Sequence, residues 1–265
     1  MQTTDKRYRA YLAILKEELI PAMGCTEPIA IAYAAARARE ILGTLPQRVL
    51  IEVSRNIIKN VKSVVVPNTG DLKGIETAAV AGICAGDASK VLEVIANITT
   101  AGRQQIVNFL ANQEITVAET TSGLQFDLIV TVYAGDLSAS VQISHYHTNI
   151  VLITKNGEVV YDNQDCDEIK TVQLTDRSIM NVKDILEFAA TVASEDIEGL
   201  LNQQIDYNMA IATEGLKNNW GANIGSVLID AWGDDIKIRA KALAAAASDA
   251  RMSGSNLPVM IVSGS

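Results

Sequence analysis

This chain has too few basic residues to hold a nucleic acid. Lys and Arg number 22 against 31 Asp and Glu, a net charge of −9, whereas a phosphate backbone demands clustered cations. Long apolar runs are missing as well. No stretch reaches the ~18 residues that span a bilayer, and the first residues carry no signal-peptide core. The composition therefore points away from nucleic-acid and membrane partners. Cysteine is scarce: the three present, Cys25, Cys84 and Cys166, are far apart and odd in number. That usage excludes a disulfide framework and fits a reduced, cytoplasmic location. No CxxC pair offers a local metal clip. Aromatics make up only 5%, so Ala, Ile and Val must fill the 48% hydrophobic content. At 265 residues the chain can build one large domain or two modest ones.

What is present reads as helices, then mixed elements, then helices. Residues 5–20 carry Tyr8, Tyr11, Leu12, Leu15 and Leu19 at helical spacing, with Pro21 as a stop. A second helix is predicted over 27–42, with Thr26 as cap, Pro28 in the first turn and Gly43 at the end. Strands are predicted over 48–54 and 61–67, and helices over 71–85 and 100–113. Strand patterns follow at 115–121, 125–134, 138–144 and 149–155. Asn156-Gly157 marks a tight hairpin that returns 158–162 antiparallel, and an acidic loop, 162–168, leads out. Helical patterns cover 181–193, 194–215 and 237–250, and 257–262 reads as a buried strand. The order predicts an α+β fold with a mixed, largely antiparallel sheet and flanking helices. Segments 1–45 and 175–265 would form a helical part, and 46–174 the sheet-bearing part. Small residues after the last strand suggest that a C-terminal portion is missing.

Cys25 stands between Gly24 and a Thr-Glu-Pro helix start. A thiol there meets free backbone N–H groups and the positive end of a helix dipole, which favour the thiolate. Glu27 acts the other way. A small cysteine filling space is the plain alternative.

Asn56, Lys59 and Asn60 surround an apolar pair and would suit a carboxylate if the segment is a turn or short helix. A solvated bend is equally compatible, and a Schiff-base lysine lacks an accompanying phosphate loop. Residues 67–71 form a turn before a helix, whose N–H groups suit an anion or merely cap it. His145 and His147 would share one face at strand spacing. They make a metal pair only with a third ligand, and no such ligand is close in sequence. Asp249 and Arg251 either pair at the surface or fix a loop lining a cleft.

Six short motifs, taken in order, resemble the L-cysteine desulfidase family, which is related to iron–sulfur L-serine dehydratase alpha chains. They are Gly24-Cys25-Thr26-Glu27-Pro28, Asn56-Ile57-Ile58-Lys59-Asn60, Pro67 with Thr69-Gly70, His147-Thr148-Asn149-Ile150-Val151, Ser248-Asp249-Ala250-Arg251-Met252 and Ser263-Gly264-Ser265. The resemblance implies a β-elimination of L-cysteine to pyruvate, ammonia and hydrogen sulfide, or of L-serine to pyruvate, ammonia and water. It implies a [4Fe–4S] cluster and no PLP, with Cys25 as the base. The cluster cysteines of that family lie in a C-terminal third whose positions Cys84 and Cys166 do not match, so the metal ligands are absent from this chain. Motif position and polarity select Asn56, Lys59, Asn60, Thr69, His147 and Thr148 as substrate-binding residues. Asn68 stands where a glycine is common, and His145-Tyr146 where small residues are common. Three readings stay open: an elimination enzyme in incomplete form, a non-catalytic amino-acid-binding lobe needing a cluster-bearing chain, and a histidine-dependent metal hydrolase. A homo-oligomer also stays open.

Overall fold

The Asp5 carboxylate accepts the Arg7 N–H and starts α1 (Lys6–Glu18). The computed structural model, which describes residues 1–163 and 175–262, then turns directly into strand β1 (Leu19–Met23). Pro21 therefore lies inside a strand instead of ending a helix. After Gly24 the chain enters α2 (Thr26–Leu42), closed by Gly43 in the left-handed region. Cys25, not Thr26, is the N-cap.

Helix α2 is apolar nearly all round. Ile29, Ile31 and the alanines at 30, 32, 34, 35, 36 and 38 are fully buried, as expected of a helix enclosed on every side. It lies against a six-stranded sheet on one face and against α4 (Gly74–Ala85) on another. Gly82 makes the helix contact close: a Cβ there would lie 2.0 Å from the Ala32 carbonyl oxygen. Each isoleucine so buried contributes about 1.5–3 kcal/mol.

The sheet comprises β2 (Arg48–Val53), β3 (Glu114–Glu119), β4 (Asp127–Ala134), β5 (Leu137–Ser144), β6 (Ile150–Lys155) and β7 (Glu158–Asp162). Their spatial order is β3-β2-β4-β5-β6-β7, with only β2–β3 parallel. Val49, Ile51, Val53, Leu128, Val130, Val132, Ala139, Val141 and Ile143 face the core. This is the α+β class and the largely antiparallel sheet that the sequence predicts. Asn156 and Gly157 both take positive φ and form the expected hairpin.

Between β2 and α4 the expected strand over 61–67 does not form. A short helix, α3 (Arg55–Val61), takes its first residue, and the rest is irregular apart from one bridge, Val65 to Lys73. Helix α4 starts at Gly74 because Asn68, Gly70, Asp71 and Gly74 all hold positive φ, which is not helical backbone. Helix α5 (Thr100–Asn112) is capped by Thr99.

The remaining helices are α6 (Val182–Thr191), α7 (Ser194–Lys217), α8 (Ile224–Trp232) and α9 (Ile236–Met252). Sequence periodicity misses α8. Helix α9 buries Ala242, Ala246 and Ala250 and crosses α7 where Gly215 meets the Ala246 carbonyl. Strand β8 (Pro258–Val262) pairs antiparallel with β1, Met23 opposite Pro258. That ribbon brings the end of α9 beside the start of α2. Cys166, the loop beyond residue 163 and Ser263-Gly264-Ser265 lie outside the described residues.

Candidate active site at the start of α2

Five of the six sequence motifs meet where β1 turns into α2. Gly24 holds φ +66, and a Cβ on it would come within 2.5 Å of Pro67 Cγ, so the 67–71 turn packs onto this corner. Gly254 approaches Val65 in the same way, at 2.3 Å for an added Cβ. From α9, Arg251 Nε donates to the Gly24 carbonyl at 2.8 Å.

At this corner Cys25 Sγ donates to Glu27 Oε2 at 3.0 Å. The other Glu27 oxygen accepts from Asn60 Nδ2 at 3.1 Å. Burial pushes the Cys25 thiol up to about 12, the Glu27 bond and charge add to the rise, and the Arg251 charge opposes it. For Glu27, burial works upward. The bonds from Cys25, from its own backbone N–H and from Asn60, with His147 nearby, still hold it below the ordinary carboxylate value. The expected resident thiolate is therefore corrected: at neutral pH the pair is thiol plus carboxylate. The helix dipole favours whichever group is charged in the first turn, and here that group is Glu27.

His147 packs against Phe126 with ring centroids 4.5 Å apart and ring planes tilted by 56°. Burial lowers its pKa, the Arg251 charge lowers it further, and Glu27 acts the other way. The imidazole is neutral at neutral pH. The two histidines do not lie on one strand face, because 145–149 is a turn between β5 and β6. Tyr146 N–H bonds Ser144 O, and Asn149 N–H bonds Tyr146 O. His145 takes φ 70 and is exposed.

The other selected residues divide. Asn56, Lys59 and Asn60 are all exposed on α3, and of the three only Asn60 reaches Glu27. Thr69 is buried and donates its hydroxyl to Val66 O at 2.7 Å, closing its own turn. Thr148 is half-buried in the His147 turn. Asn68 holds φ 63, a conformation that glycine adopts freely and Asn better than most. Its side chain then bonds the carbonyls of Ile95 and Ala96, so replacing glycine here keeps the turn and adds two anchors.

The alternatives for Asp249 and Arg251 resolve here, and one further residue, Asp127, escaped sequence reasoning. Asp249 does not pair with Arg251; it binds the N–H groups of Ala222 and Ile224, which leaves Arg251 for the Gly24 corner. Asp127 is fully buried at the end of β4. Its Oδ1 accepts from Ser144 Oγ at 2.6 Å and Gln142 Nε2 at 2.9 Å, and its carbonyl accepts the Ser54 N–H at 2.8 Å. One residue thus ties the start of α3 to the start of the His147 turn. The signal was a carboxylate opening an apolar strand.

The profile of the serine dehydratase alpha chain matches residues 92–265. The chain belongs to that family. Relatives align across the rest: UPF0597 proteins of Desulfitobacterium hafniense (55% identical over all of this chain), Lachnoclostridium phytofermentans (48% over 97%) and Treponema denticola (42% over all of it). This chain spans 61% of the first two relatives' length and 63% of the third's. No solved structure matches it. The family profile covers His147 and Arg251, and the range aligned with the relatives also spans the corner from Cys25 to Asn60.

The family resemblance implies an iron–sulfur cluster, which thiolates hold. The described residues do not fit one. Among the described residues no three His, Cys, Asp or Glu side chains are grouped to hold a metal ion. Cys25 is engaged by Glu27, and Cys84 lines a separate cleft with Arg39 and Phe109. Among the described residues, no helix is long and apolar enough to cross a membrane.

Proposed function

We propose that this chain carries the proton-transfer centre of an amino-acid β-eliminating lyase. The substrate would be L-cysteine, giving pyruvate, ammonia and hydrogen sulfide, or L-serine, giving pyruvate, ammonia and water. The observation supporting it is the 3.0 Å Cys25–Glu27 hydrogen bond at a corner where separate chain segments converge. A thiol bonded to a carboxylate is a nucleophile-and-base pair, the arrangement that activates a weak acid for proton transfer.

The step balances as follows. The Sγ proton passes to Glu27, and the freed sulfur takes the substrate's Cα proton. The C–H electron pair forms the Cα=Cβ bond, and the β-substituent leaves with its own pair. Glu27 returns its proton to that leaving group, so Cys25 ends protonated and Glu27 ionised. The enamine left behind tautomerises and hydrolyses to the 2-oxo acid and ammonia. Asn60 orients Glu27 through the 3.1 Å bond, and neutral His147 beside Phe126 offers a donor and an acceptor without adding charge. On this reading 1–45 and 175–265 act as the helical catalytic part and 46–174 as the sheet-bearing part. No step is assigned to an iron–sulfur group.

A second reading is an amino-acid-binding lobe that works with a cluster-bearing chain. The match to an alpha-chain family, a description that implies a companion chain, supports it. Pyruvate release from L-cysteine and L-serine, measured anaerobically on this chain and on a relative-length form, separates the two. Release by this chain, lost in Cys25→Ser, supports the lyase. Binding without release by this chain, with turnover only in the longer form, supports the lobe.

A further inference from the structure

Arg251 lies in the last turn of α9, where a cation ordinarily does no more than complement the helix dipole. Here the side chain leaves the helix. Its Nε bonds the Gly24 carbonyl at 2.8 Å, the peptide immediately before Cys25. The carboxylate two residues earlier, Asp249, is spent on the N–H groups of Ala222 and Ile224. Among the described residues Arg251 forms no ion pair, and Nε is its one hydrogen-bonded nitrogen. A partly buried guanidinium with no ion pair is costly, and an incoming anion bonded to it offsets that cost.

We propose that Arg251 anchors the substrate's carboxylate, using its two Nη groups while Nε stays on Gly24. The inference rests on the amino-acid reading of the site above. A guanidinium fixed through Nε presents a planar fork, which matches a carboxylate with two parallel bonds. The carboxylate carbon is bonded to the Cα that loses its proton, so an anchor on the residue before Cys25 brings that Cα to the sulfur. Independently, the Arg251 charge acts on both Cys25 and His147, so it lies within the same pocket of field. Lys59, the ammonium that sequence suggests for this task, is exposed on α3. An exposed ammonium keeps its water and binds as a point charge.

Binding is measured by calorimetry on this full chain with two probes, L-serine and propionate, while pyruvate release is followed in the same samples. The expected result is that Arg251→Gln weakens both probes by about tenfold or more, the scale of a lost charge-assisted bond. Arg251→Lys should recover part of the loss, since it keeps the charge without the fork. It is also the variant read if Arg251→Gln melts. Unchanged affinity in Arg251→Gln, or no binding of either probe by the unmodified chain at millimolar concentration, overturns the anchor. Arg251-dependent propionate binding with no pyruvate contradicts the elimination and supports the anchor. Pyruvate release that Arg251→Gln leaves unaltered, with the same KM, overturns the anchor and supports the elimination.

Discussion

Cys25 Sγ and Glu27 Oε2 are 3.0 Å apart across the first turn of α2, and the proton between them belongs to sulfur. The carboxylate takes the benefit of the helix terminus, and the thiol becomes its donor.

Stability should follow that proton. The Cys25 pKa rises from 9.0 to about 12 on folding. Its contribution is complete below 9.0 and is lost as pH climbs through about 12. Glu27 shifts down, so its contribution is present above its unfolded value of 4.5 and fades as pH falls below that. Urea melts across pH should show both flanks. Cys25→Ala should flatten the alkaline one.

Thiol labelling should favour Cys84 over Cys25. Cys25 is only 6% exposed and titrates near 12, whereas half-buried Cys84, raised mainly by burial, titrates near 11. Mass-resolved iodoacetamide rates at neutral pH check the order. Cys25 reacting first would contradict it.

Gly82→Ala should unfold at lower urea. The added methyl would sit 2.0 Å from the Ala32 carbonyl oxygen, so α2 and α4 must separate. Overpacking of this kind costs about 1–3 kcal/mol or more, and denaturation midpoints measure it.

Asp127→Ala should loosen the His147 turn. It removes the acceptor of the buried Ser144 hydroxyl and one acceptor of Gln142, a loss of about 1–3 kcal/mol for the buried hydroxyl. His147 ring resonances in NMR should broaden or shift more than those of His145, which is exposed.

Much of the architecture was legible because its signals are local. Alternating apolar residues reveal β2 and β4–β6, and Asn156-Gly157 reveals a hairpin. What failed was non-local or irregular. Strand β1 contains Pro21 and pairs with β8, which comes from the far end of the chain, so no nearby pattern marks it. Val61, Val64, Val65 and Val66 are buried, and burial alone does not make a strand. At the site, Cys25 was visible from its helix start, but its protonation was not. That depends on depth and on Asn60 leaving Glu27 ionised beside it. Arg251 acquires its role only when α9 folds back onto Gly24.

The most direct test is a spectroscopic titration of the Cys25 thiolate in a chain whose other two cysteines are serine, with and without Glu27→Gln. The account predicts titration near 12 with Glu27 present and a clearly lower value once the neighbouring charge is gone. A thiolate already formed at neutral pH, or a curve indifferent to Glu27, would contradict the shared-proton pair.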